Sequence, residues 1–222
     1  MTAGTLTIEI YSDVVCPWCY VGKRRLERAL TELKGTVQPK ITWRPFQLNP
    51  TMPKEGMDRT TYLKAKFGSL DAFRQMEKHL LAAGAAERIP FAFEQVTRTA
   101  NTLLAHRLIW YAEQQGRQHA TVESLFRGYF TEGGDIGSVP VLSQLADRAD
   151  LDAASVESFL HTQDGEAEVK AEEAAGHRLG IRGVPYFVIN GSIVISGAQP
   201  PDIFVSAFQR VERPGIVGEG GA

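Results

Sequence analysis

The stretch that decides the fold is residues 6–30, which read LTIEIYSDVVCPWCYVGKRRLERAL. Residues 6–10 alternate between apolar and polar side chains, and this period of two predicts a strand with one buried face. Apolar residues then recur at helical spacing, and Pro17 suits the first position of a helix, where its missing N–H has no partner to lose. The stretch therefore predicts a strand and a helix, with Cys16 at the N-cap and Cys19 in the first turn.

Cys16 and Cys19 are the only two cysteines of the chain, and their spacing suits redox chemistry. The partial positive charge and free N–H groups of a helix N-terminus favour the thiolate of Cys16, the reactive form of cysteine. One turn further on, Cys19 faces the same way and could form a disulfide with Cys16. We expect an exposed Cys16 with a lowered pKa that attacks a disulfide, and a largely buried Cys19 that resolves the mixed intermediate. Pro17 would stiffen this ring, and Trp18 would offer an apolar surface to substrate.

A structural zinc site is the alternative for a paired Cys-x-x-Cys. Such a site needs four ligands. The sequence has no second cysteine pair, and its five histidines include no pair at ligand spacing. The pattern therefore predicts no metal.

Composition excludes several other classes of function. Lys and Arg together number 24 and Asp and Glu 26, which gives a net charge of −2. This balance argues against a protein that binds nucleic acid phosphates or anionic lipid surfaces. There is no apolar run long enough to span a membrane, and residues 1–10 do not resemble a secretory signal. We therefore expect a cytoplasmic protein, either a monomer or a homodimer.

The rest of the chain predicts a domain inserted into another. A second strand is predicted at 41–48, and strands at 186–189 and 193–195 precede a last helix at 202–211. The middle of the chain predicts helices at 70–85, 101–115, 119–130, 141–149, 154–161 and 165–179, with an extended segment at 88–96. The fold class is α/β: residues 1–50 plus 180–222 form one domain, and residues 51–179 form an inserted all-helical domain.

Four segments together resemble the FrnE-like branch of the DsbA family, within the thioredoxin superfamily. They are DVVCPWCYVGK at 13–23, FQLNP at 46–50, NTLLAHRL at 101–108 and GVPYFVI at 183–189. The resemblance covers nearly the whole chain and implies a thioredoxin fold with an inserted helical domain. It further implies that Cys16 is the nucleophile and Cys19 the resolving cysteine. It also makes Pro185 a cis-proline facing the disulfide, and Val184, extended because it precedes proline, a contact for substrate.

The sequence departs from the wider superfamily in two places. Many thioredoxin-fold enzymes carry a buried acid six residues before the first cysteine, where this chain has Ile10. Asp13 could accept the proton instead, or it could be an ordinary turn residue; Glu9 points to the opposite face of the strand from Ile10. The Pro-Trp dipeptide also lacks the histidine of the strongly oxidising relatives, so the resemblance does not imply a strong oxidant.

The function predicted from these features is a protein-disulfide oxidoreductase or isomerase. In a reducing cytoplasm the resting state would be the dithiol, which favours reductase or isomerase work on protein thiols and disulfides or on small thiols. The Cys16–Cys19 pair would be the only redox group, with glutathione as a candidate co-substrate. Aromatic residues of the helical domain are available to select substrate, although most are expected in its core: Phe67, Phe73, Trp110 and Tyr111.

Two other functions stay open at this point. Kappa-class glutathione transferases and 2-hydroxychromene-2-carboxylate isomerases resemble the chain in layout, but they have a serine at the position of Cys16. A glutathione site of that kind could involve three loop residues: Asn49, Gln199 and Asp202. The third function is a binding module without catalysis.

We interpret Asn101 as a helix cap, and His106 with Arg107 as the edge of the face between domains.

Overall fold

The computed structural model describes residues 6–33 and 39–212. Four strands form the main sheet: β1 (Leu6–Ser12), β2 (Pro39–Pro45), β5 (Tyr186–Ile189) and β6 (Ile193–Ser196). Two short strands pair elsewhere: β3 (Met57–Asp58) and β4 (Arg98–Thr99). The helices are α1 (Pro17–Glu32), α2 (Arg59–Phe67), α3 (Leu70–Ala86), α4 (Leu103–Gln114), α5 (Gln118–Phe130), α6 (Val139–Asp147), α7 (Ala153–His161), α8 (Glu166–Arg178) and α9 (Pro201–Glu212).

The main sheet joins the two ends of the chain. Its strand order is β2-β1-β5-β6, with β1 parallel to β2 and antiparallel to β5. The alternation in β1 is realised as predicted, because Ile8 and Ile10 are fully buried. Ile8 pairs with Ile189 and Ile10 with Phe187, so apolar residues from both ends meet in one core. The predicted α/β fold is confirmed.

The segment between β2 and β5 is helical, with two differences from prediction. Helix α2 lies within the segment predicted to be helical, without predicted bounds of its own; Asp58 caps it by accepting the N–H of Thr61, and Gly68 ends it with a positive φ of 82°. The predicted extended segment at 88–96 instead contains a 3₁₀ turn over Phe93–Gln95. The insertion is also not wholly helical, because β3 and β4 form a short ladder. The domain boundaries at residues 50 and 180 stay a prediction.

An ionic cluster around the buried ammonium group of Lys23 connects α1 to α5. The ammonium group of Lys23, 1% exposed, lies 2.5 Å from Glu27 and 2.6 Å from Glu123. Arg24 contacts both carboxylates, and His119 lies 2.9 Å from Glu27. Burial raises the pKa of Glu27, but a hydrogen bond from His119 and the charge of Lys23 outweigh it and lower that pKa to about 2. This cluster fixes the cysteine-bearing helix against the helical segment.

Among the residues that the structure describes, no helix is both long and apolar enough to cross a membrane. In the same part of the chain, histidine, cysteine and acidic residues do not gather in groups of three or more that could hold a metal ion.

Candidate active site

Cys16 is the N-cap of α1, as the sequence predicts. Its backbone is extended, with φ −93° and ψ 109°, and Pro17 begins the helix. The Cys19 N–H donates to the Cys16 carbonyl at 3.0 Å, which closes the first turn around the two cysteines. The helix N-terminus therefore directs its partial positive charge at Cys16.

The two thiols differ in acidity because each one shifts the pKa of the other. A hydrogen bond from the Cys19 thiol lowers the pKa of Cys16 and outweighs its burial, with further help from the backbone N–H groups of Cys19 and Trp18. Burial raises the pKa of Cys19 well above its ordinary value, and the Cys16 sulfur raises it further. The pair thus consists of one thiol poised to ionise and one that needs a base.

Val184 and Pro185 lie against the reactive sulfur. The Val184–Pro185 peptide bond is cis, and the Cys16 Sγ lies 3.7 Å from the Val184 carbonyl oxygen. Pro185 is buried, and its carbonyl accepts the N–H of Gly197 at 2.8 Å, which fixes the start of β5. Residues 168 positions apart in sequence therefore meet at one site.

The expected exposure of Cys16 is wrong. Cys16 is only 6% exposed and Cys19 is 1% exposed, because both side chains pack into the main apolar core. Trp18 is the accessible residue of the motif, at 38% exposure, while Pro17 and Val184 are half-buried. The indole of Trp18 is therefore the exposed surface next to the two thiols.

Asp13 is not a surface turn residue, because its side chain is fully buried behind the cysteines. Its carbonyl accepts the N–H of Cys16 at 3.0 Å, and its Oδ2 accepts the N–H of Leu48 at 2.7 Å. Its other oxygen, Oδ1, lies 3.4 Å from Nε2 of His106. Asp13 thus connects the turn before α1 with the end of β2 and with α4.

His106 contacts Asp13 between the helical segment and the sheet, but it lies inside this face and not at its edge, since it is only 3% exposed. Its neighbour Arg107 is also buried and donates to four carbonyl groups at the end of α7, which is a structural role: Phe159, Leu160, Thr162 and Asp164. Asn101 does act in capping, because its Oδ1 accepts the N–H of Leu103 at the start of α4.

The other candidate binding residues make contacts within the protein. Asn49 exchanges hydrogen bonds with the Tyr62 hydroxyl, and Gln199 donates to the Ser196 carbonyl. Asp202 is exposed in the first turn of α9. The aromatic residues named for substrate selection all contact other rings: Phe67 is tilted against Phe73, Trp110 stacks on Phe159, and Tyr111 is tilted against Phe159.

Gly22 is a site residue that the sequence reasoning missed. A Cβ at this position would lie 3.0 Å from Cγ of Pro185 and 3.1 Å from Cζ of Phe187. A side chain at this position would therefore press on Pro185 and Phe187, which would have to shift by a few tenths of an ångström. The signal was available, because a glycine inside a helix costs stability and needs a packing reason.

Replacing Gly22 by valine should displace Pro185, lower the free energy of unfolding by about 1–3 kcal/mol and slow disulfide exchange. Urea unfolding and a disulfide-reduction assay on the same sample measure both effects. Gly183→Ala is the matched control, because no described atom lies within 4 Å of a Cβ at that position. Equal stability and rate in Gly22→Val and the unmodified chain would refute the close-approach argument.

The sheet, the helix-capping cysteine pair and the adjacent cis-proline define a thioredoxin-fold protein with a dithiol site. A family model described as a DSBA-like thioredoxin domain matches residues 7–209, and the chain belongs to this family.

Individual relatives extend over nearly the whole chain. The uncharacterized protein YwbO of Bacillus subtilis (strain 168) is 30% identical over 210 residues, covering 94% of this chain and 98% of that protein. The probable DsbA oxidoreductase SCO1869 from Streptomyces coelicolor superimposes with a TM-score of 0.84 at 34% identity, covering 95% of this chain and 91% of that one. A 2-hydroxychromene-2-carboxylate isomerase shares the fold alone, with a TM-score of 0.71 at 15% identity over 93% and 96% of the two chains.

Proposed function

We propose that this protein is a thiol–disulfide oxidoreductase that exchanges disulfides through Cys16 and Cys19. The observation that carries the proposal is the opposed acidity of two thiols in one helical turn, next to the Val184 carbonyl and Pro185. We propose reductase or isomerase work on protein disulfides as its activity. The sequence motifs quoted above support placing it in the FrnE-like branch.

The proposed exchange has two steps. The Cys16 thiolate attacks one sulfur of a substrate disulfide, forms a mixed disulfide and releases the other substrate sulfur as a thiolate. Cys19 then loses its proton and attacks the Cys16 sulfur. A Cys16–Cys19 disulfide forms, the second substrate thiolate leaves, and an external thiol reductant restores the dithiol. The half-buried Val184 backbone would hold an extended substrate chain during both steps.

Reduction of insulin in the presence of dithiothreitol tests this function. The protein should accelerate precipitation of the insulin B chain well above the rate with dithiothreitol alone. A chain that gives no acceleration, with its dithiol shown to be free, would refute the proposal.

Glutathione is the small thiol that we propose as co-substrate for restoring the dithiol. Replacing dithiothreitol by glutathione and glutathione reductase in the same assay tests this point through consumption of the nicotinamide cofactor.

The isomerase or transferase alternative has less support, because Asn49 and Gln199 are already engaged inside the protein. Retention on immobilised glutathione, with activity that survives Cys19→Ser, would favour that alternative.

We propose the reducing cytoplasm as the location. The support is that both cysteines of the sequence lie in the reactive pair, so none remains for a structural disulfide.

A further inference from the structure

A surface cavity lies where α4, α7 and α8 meet. Its volume is about 590 Å³, which falls within the range of roughly 300–1,000 Å³ that is typical of small-molecule sites. The described residues that line it belong to these three helices and to the loop between α7 and α8, and they include none from the cysteine motif. The cavity is therefore a candidate site for a ligand other than a disulfide substrate.

Three half-buried aromatic side chains form one wall of this cavity: Trp110, Tyr111 and Phe159. The Trp110 ring stacks on Phe159 with centroids 6.2 Å apart, and the Tyr111 ring lies 4.7 Å from Phe159 at an angle of 34°. The faces of aromatic rings carry negative potential and attract cations. Phe159 already makes such a contact, because Cζ of Arg107 lies 5.1 Å from its centroid.

Gly165 fixes the position of the Trp110 indole. Its φ is 77°, and a Cβ at this position would lie 2.7 Å from Cε3 and 3.0 Å from Cζ3 of Trp110. The indole therefore packs directly on the backbone between α7 and α8. Since neighbouring groups hold the rings in place, a ligand would pay little conformational entropy to order them.

The charged residues that line the cavity are both acidic. They are Asp164 and Glu168, and both are exposed. Neither carboxylate forms an ion pair with another side chain in the described part of the chain. Charges of one sign next to aromatic faces favour a positively charged ligand.

Two basic groups near this cavity are already engaged. Burial lowers the pKa of Arg107, and the charges of Glu166 and Asp164 oppose this effect. Lys170 lies 2.5 Å from Glu166. Asp164 therefore shares its charge with Arg107, whereas the charge of Glu168 acts mainly on the cavity.

We propose that this cavity binds a small organic cation of the quaternary ammonium class. Such a cation has no N–H group that needs an acceptor, and its alkyl groups can replace water against the aromatic wall. A primary ammonium group is compact and strongly hydrated, so it would lose more by leaving water. The inference does not rest on the proposed function, because the residues that carry it take no part in disulfide exchange.

The charges in the cavity favour a free cation over one that carries a phosphate. Asp164 and Glu168 would repel the phosphate of phosphocholine or of a choline lipid headgroup, and the described residues that line the cavity include no basic one. We therefore expect choline to bind more tightly than phosphocholine.

NMR of the indole N–H groups tests the proposal on the full chain. The sequence has three tryptophans, Trp18, Trp43 and Trp110, and variants that lack one of them at a time assign the signals. During titration with choline, the Trp110 signal should shift and reach saturation. The signals of Trp18, which is 38% exposed, and of the buried Trp43 should stay in place as internal controls.

A neutral analogue of choline separates the effect of charge from that of shape. In this analogue a tert-butyl group replaces the trimethylammonium group, so that size and shape are kept. Because it lacks the charge that the rings and carboxylates attract, it should bind at least about tenfold more weakly than choline.

Glu168→Gln tests the electrostatic part at an exposed position. It should weaken choline binding by at least about threefold, and Asp164→Asn should have a smaller effect because Asp164 shares its charge with Arg107. Glu157→Gln is the matched control, because Glu157 is an exposed carboxylate of α7 that does not line the cavity. It should bind choline as the unmodified chain does.

Several results would overturn the inference. They are equal affinity for choline and its neutral analogue, a Trp110 shift that grows without saturation, a Trp18 shift of the same size, or equal effects of Glu157→Gln and Glu168→Gln. Phosphocholine that binds as tightly as choline would contradict the assignment to a free cation. The comparison of the two choline analogues needs no variant, so it decides the matter even if a variant fails to fold.

Discussion

Replacing Cys16 by serine should lower the rate of disulfide exchange by at least about a thousandfold, because the remaining thiol, Cys19, is only 1% exposed and burial raises its pKa. Replacing Cys19 by serine should instead leave that attack intact and stop the reaction at the mixed disulfide. With Ellman's reagent, Cys19→Ser should release one equivalent of thiolate and Cys16→Ser should release none rapidly. Mass spectrometry should find the adduct on Cys16.

The two variants distinguish the roles because burial and mutual hydrogen bonding give the thiols opposite acidities. Alkylation as a function of pH provides a check on the unmodified chain: Cys16 should be modified at lower pH than Cys19. The role assignment would be wrong if both serine variants behaved alike and neither accumulated an adduct.

Replacing Lys23 by alanine should lower the free energy of unfolding by about 3 kcal/mol. The ammonium group is 1% exposed and lies within 2.6 Å of both Glu27 and Glu123, so its loss leaves two partly buried carboxylates with only part of their compensating charge. Urea unfolding of the reduced protein measures the change. Because the cluster joins α1 to α5, we also expect faster proteolysis of the helical segment.

Lys170→Ala is the matched control for this prediction. Lys170 also makes an ion pair of 2.5 Å with a glutamate four residues away, Glu166, but its side chain is 58% exposed. An exposed pair contributes about 0–1 kcal/mol, so this variant should unfold close to the unmodified chain. Equal losses in the two variants would mean that burial of Lys23 has no part in the stability of the cluster.

Local patterns predict those parts of the fold where neighbouring residues decide the conformation. The alternation before Ser12 predicts β1, and Pro17 after Cys16 predicts the start of α1, because both depend on positions a few residues apart. Helix α2 has equally local signals in Asp58 and Gly68, but its apolar face is weak, so the periodicity does not define its bounds. The cis form of Pro185 follows from resemblance to a family and not from local pattern, since an X-Pro bond alone favours trans.

The sequence by itself determined the reactive chemistry, because two cysteines three residues apart at a helix start must share one turn whatever surrounds them. Only the tertiary structure decided how deeply the two thiols are buried and which polar and charged groups lie near them. It brought Val184 to Cys16 and His106 to Asp13 across long separations in the chain, and it buried a cysteine that helix geometry alone would expose. The physical reason is that burial, desolvation and contacts across the core depend on which distant segments pack together. The periodicity of neighbouring residues does not specify this packing.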